Sequence, residues 1–438
     1  MWIELQLVYT QGGQAVIETR EYTTLASTDY APEVDVTGDT QPVNEVNVQI
    51  VTDDDLSAAQ WGALYDDMDQ LWFSGDVTFA KRTDPQRFAV RLSSLTYYLE
   101  YINLPAVMYN NTSAQTAIAA CFADVTGSWS IDPAISALTV TGFCPEQTAR
   151  ERLTWLCFVL GAVVITAFRS GLHIQPVTMQ EKLIPLERTY KRPEMQYGDW
   201  VTGIRVTAYT FTEAQSVDEW KNDDSSYRFP MPWVARETVY SLSNPDAPST
   251  APENVVEINE LYLINTANAM TLLTQLSQYW FNRVDVRLSC VNNRDFLPGD
   301  RVLAYVDREN MVSGYIKSAA FAFGKQAKAD LLITLPVERE TGVLEIVYRY
   351  NNTVLQRTSY RLPVGYVFTV GNIYPDITRK GVRTIYRPTT TQTSVTVQTG
   401  KHTVYVPCEK ALILEDGVLT IISVSSVDDD GAGTVIIG

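Results

Sequence analysis

The stretch from Cys144 to Val177 constrains this fold more than any other, because it changes from helical to strand period within a few residues. Pro145 suits a first helical position, where its missing N–H costs nothing. Leu153, Leu156, Cys157 and Leu160 fall at i, i+3, i+4 and i+7, one apolar stripe. Gly161 can take the left-handed conformation that ends a helix. Strands are expected over 162–167 and 172–177, joined tightly through Arg169, Ser170 and Gly171. No group in this unit reads as catalytic.

The chain on either side is dominated by the period of two. In a first segment, 1–105, alternation over 2–9 and 15–22 around Gly12-Gly13 predicts a hairpin. Another strand is expected over 45–51. Asp53-Asp54-Asp55 then precedes a helix over 56–72, with Leu64, Met68, Leu71 and Trp72 on one face and Trp61 in front. Strands over 73–80 and 87–92, with Asp84-Pro85 between them, close the segment. The second segment, 106–180, offers helix caps at Asn111, Thr112 and Ser113 before Ala117, Ile118, Cys121 and Phe122. The 144–177 unit completes this small α+β domain.

A third segment, 181–336, opens with a strand over 200–211. The polar run 212–254, with NDDSS and SNPDAPSTAPEN, reads as a long excursion. A strand over 257–264 leads to a helix capped by Thr266 or Asn268 and carrying Ala269, Leu272, Leu273, Leu276 and Trp280. Strands follow over 283–291, 301–307, 311–323 and 329–335, with a turn at Leu297-Pro298-Gly299-Asp300. Segments one and three thus share an order of strands, one helix and more strands, without visible sequence similarity. Each is consistent with a β-barrel or sandwich flanked by one helix. Residues 337–438 carry strands at 343–350, 358–362, 364–370, 382–386, 394–398, 402–406, 411–414 and 418–424. That spacing predicts an all-β appendage of one or two small domains.

A chain of 438 residues with 45% hydrophobic content has room for several cores. It holds no run of apolar residues long enough for a membrane helix. The opening MWIELQLVYTQGG lacks the basic and apolar regions of a signal peptide, so folding in a cytoplasm is expected. A net charge of −17 argues against broad contact with nucleic acid. Cys121, Cys144, Cys157, Cys290 and Cys408 show no metal spacing and read as buried free thiols.

Catalysis needs convergent groups of tuned pKa. The two histidines, His173 and His402, both read as strand residues, which leaves no His-rich metal site. Paired carboxylates could serve glycoside hydrolysis. The candidates are Asp53 to Asp55, Asp66, Asp67 and Asp69, and Asp428 to Asp430. A helix start explains the first group, a solvated helix face the second and an acidic turn the third. The turn also lacks the spacing of a calcium loop. No phosphate loop, nucleophile elbow or zinc-protease motif occurs, and the N-x-[ST] matches at Asn110, Asn111 and Asn351 read as incidental. No catalytic, cofactor-binding or metal-ligating residue is therefore assigned, and no cofactor is expected. Tyr360, Tyr366, Phe368, Tyr374 and Tyr386 concentrate in the appendage, as at interfaces or sugar-binding surfaces.

Several short motifs, in order, carry a family likeness. Leu71-Trp72-Phe73-Ser74-Gly75-Asp76-Val77 resembles a strand entry. The GAVV and RSGLHI of the 144–177 unit resemble a helix–hairpin domain. Tyr197 to Ile204 resembles the start of a second barrel, and Asn265 to Ala269 and Leu297 to Val302, ending in Gly314-Tyr315-Ile316, resemble its later helix and hairpin. Together they are similar to the baseplate or tail hub proteins of tailed bacteriophages and related contractile injection systems. The likeness is strongest over 70–336 and does not extend to the appendage.

That resemblance implies a mainly β fold with α+β parts. It would have two tube-like β-barrel domains each flanked by a helix (1–105 and 181–336), a helix–hairpin domain between them (106–180) and a C-terminal all-β appendage (337–438). It implies a non-enzymatic, homotrimeric, ring-forming adaptor between a hexameric tail tube and a trimeric spike or tip, with other baseplate proteins as neighbours. The expected location is a virion tail assembled in a bacterial cytoplasm. Two alternatives stand beside it: a tail-tip binding protein whose appendage recognises a cell-wall glycan or a tail partner, and a tail-associated peptidoglycan hydrolase.

Overall fold

The computed structural model describes residues 1–11, 14–25, 29–35, 38, 40–166, 171–176, 182–184, 188–281, 284–291, 296–305, 311–322 and 328–338, and the strands of 341–436, with side chains described up to 333. Residues 1–303 and 313–336 form one compact unit, and 304–312 with 337–438 form another.

The N-terminal runs form the strands that their alternation requires. β1 (Trp2–Gln11) and β2 (Gln14–Thr23) pair antiparallel along their whole length. After the short β3 (Asp29–Tyr30) come β4 (Glu45–Val51), β5 (Ala59–Tyr65), β6 (Leu71–Asp84) and β7 (Arg87–Ser93). Every second residue is buried: Ile3, Leu5 and Leu7 on β1, Val46, Val48 and Ile50 on β4, and Phe88, Val90 and Leu92 on β7. Pairing runs β4–β7–β6–β5–β1–β2. It then returns to β4, because Thr24 bridges Ile50 and the Leu25 amide donates to the Gln49 carbonyl at 2.9 Å. Six strands thus close a circuit around their own apolar face.

The helix expected over 56–72 is absent, and β5, a turn and β6 stand in its place. Asp66 Oδ1 accepts from the amides of Met68 and Gln70, both at 2.9 Å, and Asp69 is left-handed at φ 57°. These residues reverse the chain, as aspartates do when they bond nearby backbone. Among the described residues of this segment the only helix is the single turn α1 (Thr96–Leu99), so a helix flanking the first circuit is corrected to that turn.

The middle segment runs β8 (Asn103–Leu104), β9 (Val107–Ser113), α2 (Ala114–Ala119), β10 (Trp129–Ile131), α3 (Pro133–Ser136), β11 (Thr139–Cys144), β12 (Gln147–Thr148), α4 (Ala149–Leu160), β13 (Ala162–Ile165) and β14 (Leu172–Pro176). Ser113 caps α2, accepting from the Thr116 amide at 3.2 Å. α4 begins later than Pro145 suggested. Its cap is Thr148, which exchanges hydrogen bonds reciprocally with Glu151 in a capping box. Gly161 ends the helix at φ 63°. β13 and β14 form the expected hairpin, and β10 adds to β14 in parallel. Arg169 and Ser170 lie outside the described residues.

Next come β15 (Lys182–Ile184), β16 (Glu194–Tyr197), β17 (Gly203–Glu213), α5 (Val217–Asn222), β18 (Trp233–Ser243), β19 (Val255–Ile258), α6 (Ala269–Trp280), β20 (Val284–Val291), β21 (Arg301–Tyr305), β22 (Met311–Ala322) and β23 (Lys328–Glu338). The polar stretch 212–254 is more ordered than its composition suggested, since β18 pairs with all of β17, from Gly203–Ser243 to Glu213–Trp233. Its polar letters follow from exposure: the run from Arg236 to Val239 faces outward. The strand expected over 257–264 is only β19, which runs parallel to β17.

Ala269, Leu272, Leu273 and Leu276 of α6 share one core with Leu153, Leu156 and Cys157 of α4, Ile174 of β14, and Ile204, Val206 and Ala208 of β17. The helix read as flanking the second barrel therefore packs with the helix–hairpin unit.

A second circuit follows β16–β20–β23–β22–β21–β15. It closes where β15 pairs with β21 while Thr189 bridges Cys290 and the Tyr190 amide donates to Ser289 O at 2.9 Å. β3 joins the circuits, because Tyr30 pairs with Phe321 of β22 on one side and Val46 of β4 on the other. Its buried ring lies 5.4 Å from that of Phe73 and 5.9 Å from that of Phe321.

The second unit carries β24 (Thr341–Tyr350), β25 (Thr353–Pro363), β26 (Val367–Val370), β27 (Val382–Pro388), β28 (Val395–Thr399), β29 (His402–Val406), β30 (Lys410–Glu415), β31 (Val418–Val424) and β32 (Val435–Ile436). One sheet is ordered β25–β24–β27–β30–β31–β32 and the other β26–β28–β29. Tyr366 and Tyr374, with Asp428 to Asp430, lie outside the described residues.

Candidate functional site

Among the described residues, the carboxylates singled out in the sequence are held in separate local bonds. Asp54 accepts from Tyr22 Oη at 2.8 Å and from Arg20 at 3.0 Å, bonds that hold its carboxyl below the usual range. Asp55 accepts from the Ser57 amide at 3.0 Å, which lowers its carboxyl too. Asp66 builds the β5–β6 turn and also accepts from Trp72 Nε1 at 3.0 Å. Asp67 meets the N-terminal ammonium, and Asp69 accepts from Trp2 Nε1. Each of these five carboxylates is thus committed to a local bond.

His173 lies on β14 with Nδ1 2.8 Å from Ser130 Oγ, a cross-strand contact. His402 lies on β29. Cys121, Cys144, Cys157 and Cys290 are buried and free. Burial pushes the Cys121 thiol up to about 12 and those of Cys144 and Cys290 up to about 11, so none is a thiolate nucleophile near neutrality. Among the described residues no three His, Cys, Asp or Glu side chains gather to hold a metal, and no helix is long and apolar enough to cross a membrane.

The buried cation of the α4 unit is structural. Arg152 is 3% exposed and donates through Nη2 to the carbonyls of Leu104, Pro105 and Pro145, at 3.3, 2.7 and 3.0 Å. One guanidinium thus ties the loop before β9 and the turn before β12 to α4. The arrangement satisfies carbonyls that would otherwise be buried unbonded.

Two surface features remain. A charged cleft of about 470 Å³ on the second circuit holds Lys191 bonded to Glu194 at 2.6 Å and Lys328 bonded to Asp330 at 2.8 Å, with Arg287 opposite Glu194 in register. These two pairs neutralise four of its six charges, as on a solvated strand face.

The other feature is a groove of about 680 Å³ walled by β9, β11, the β17–β18 hairpin and the approach to α6. Asn110, Asn111, Thr210, Phe211 and Trp233 reach it from segments distant in sequence. Beneath it Phe143, Tyr209, Phe229 and Ala235 form a small aromatic core, with Phe211 and Trp233 packed half-buried against it. The sequence reading missed this site. The Asn110-Asn111-Thr112 match was its one visible trace, and nothing in the sequence joined it to Trp233.

No protein-family model matches the chain, and no curated protein does. Solved structures do. A tail protein from Neisseria meningitidis MC58 superposes with a TM-score of 0.52 at 12% identity, covering 76% of this chain and 96% of that one. A 43 kDa tail protein of prophage MuSo2 from Shewanella oneidensis gives 0.49 at 10% identity, covering 76% and 98%. An E. coli component of the type VI secretion system gives 0.41 at 10% identity, covering 94% and 97%. Over the part shared with the Neisseria tail protein, this chain has the same mainly β fold.

Proposed function

We propose that this chain is a structural hub of a phage tail or phage-derived tail particle: a ring-forming adaptor between a hexameric tail tube and a trimeric spike or tip. The observation that carries the reading is the pair of strand circuits within one chain, joined edge to edge by β3. A chain with two similar barrels can present six to a tube when three copies associate, while remaining threefold toward a spike. Closed symmetric rings of this kind are the usual solution for soluble assemblies. The likeness to the Neisseria tail protein supports the same placement.

In this reading the chain is a scaffold and not an enzyme. Its partners are two further copies of itself, the tube protein, the spike or tip protein and neighbouring baseplate proteins, assembled in the host cytoplasm into the virion tail. The test is assembly in vitro. The full-length chain mixed with its cognate tube protein should cap tubes at one end only, as caps visible in negative-stain micrographs. Tubes left bare at saturating protein, or decorated along their walls, would contradict the adaptor role.

A further inference from the structure

The groove between the β9–β11 pair and the β17–β18 hairpin has an unusual lining for this chain. The whole sequence carries a net charge of −17, yet none of the described residues that line the groove is charged. A charged ligand would find no counter-charge there, and leaving its own hydration would be uncompensated. A purely apolar ligand would meet the exposed amides of Asn110 and Asn111 and the hydroxyl of Thr210.

The Asn110 side chain makes no hydrogen bond within the chain among the described residues. Asn111 spends its carbonyl oxygen on Thr141 Oγ1 at 3.2 Å and keeps its amide N–H groups available. Asn111 is also left-handed, at φ 50°, in the middle of a strand, a conformation that Asn tolerates better than most residues. The half-buried rings of Phe211 and Trp233 line the same groove, held by the aromatic core below. Amides, hydroxyls and flat apolar rings lining one groove, without charge, match a ring-shaped molecule with hydroxylated edges and C–H faces. The volume of about 680 Å³ lies in the range of small-ligand sites.

We infer that this groove binds an uncharged saccharide, with Asn110 and Asn111 on its polar edge and Trp233 and Phe211 against its ring faces. The inference stands apart from the ring-forming role and is read without any assembly. The experiment is saturation-transfer NMR on the full-length chain with chitotetraose, cellotetraose and, as a charged control, tetragalacturonate.

Saturable transfer to at least one neutral sugar is expected, with tetragalacturonate weaker by about tenfold or more. Preference for chitotetraose would assign acetamido recognition and preference for cellotetraose hydroxyl recognition, and either supports the site. Trp233→Ala should weaken binding by about tenfold, and Trp233→Phe should retain most of it. If Trp233→Ala unfolds, Asn110→Ala decides, since that side chain is exposed and should weaken binding without shifting Tm. No transfer to either neutral sugar, equal transfer to the charged one, or full binding by Asn110→Ala together with a folded Trp233→Ala would overturn the proposal.

Discussion

Single residues show how far local chemistry determines this fold. Two glycines with positive φ invite the same substitution and should respond differently. Gly161, at φ 63°, has open surroundings; a Cβ there would meet only Gln275 Nε2 at 3.8 Å. Gly161→Ala should cost about 1 kcal/mol, the strain of a left-handed alanine. Gly142, at φ 139°, would place a Cβ 2.4 Å from the Tyr262 carbonyl oxygen. Gly142→Ala should cost about 3 kcal/mol or more, because backbone must move. Urea denaturation of the two variants measures the difference, and similar losses would mean that the β11 backbone yields easily.

The buried thiols give a pH dependence. Their ordinary value is 9.0, and burial raises Cys121 to about 12 and Cys144 to about 11. A raised folded value means that the unfolded chain releases these protons first as pH rises. Stability from this source is therefore fully present below about pH 9 and falls between about 9 and about 12. The loss should approach about 1.4 kcal/mol per pH unit per thiol. Urea midpoints measured from neutral to alkaline pH should fall less steeply in Cys121→Ala than in the parent. At this scale the sequence was partly legible: the stripe of α4 and the stop at Gly161 could be read directly. The capping box Thr148–Glu151 was equally present, but Pro145 drew attention to the wrong start.

At the scale of elements, period decided most of what could be read. β1 alternates cleanly because Ile3, Leu5 and Leu7 are buried, whereas β2 is half-buried at alternate positions. The span 56–72 misled because Leu64, Leu71 and Trp72 fall at helical spacing with Met68, while Met68 is 80% exposed at a hairpin turn. Asp53 to Asp55 resembled a helix start and Asp66 a polar helix face, yet Asp66 acts as a turn residue. β18 was hidden for the opposite reason, since an exposed strand need not alternate.

β3 could not be read at all. Two residues have no period, and their importance comes from the strands on either side. Tyr30→Ala should destabilise the chain by about 3–5 kcal/mol, the range for removing a buried aromatic ring. Hydrogen exchange should also show faster exchange at the β4 and β22 amides facing β3 than elsewhere in either circuit. Loss spread evenly over both circuits, with no focus at β3, would show that the ring matters only as core volume.

For the whole molecule, many of the strands were visible in the sequence and the closure of the circuits was not. Closure depends on the Thr24–Ile50 and Thr189–Cys290 bridges, each between residues far apart in the chain. The groove was hidden for the same reason, because β9, β11 and the β17–β18 hairpin meet only in three dimensions. Sharing of one core by α4 and α6 likewise makes the helix–hairpin unit larger than its sequence signature.

The central claim is that two circuits per chain exist so that three chains can build a ring. Sedimentation or native mass measurement of the full-length protein, alone and with tube protein, tests it most directly. The account predicts a particle of three chains, or one that becomes three chains when tube protein is present. A strictly monomeric particle under both conditions, at high concentration, would contradict it.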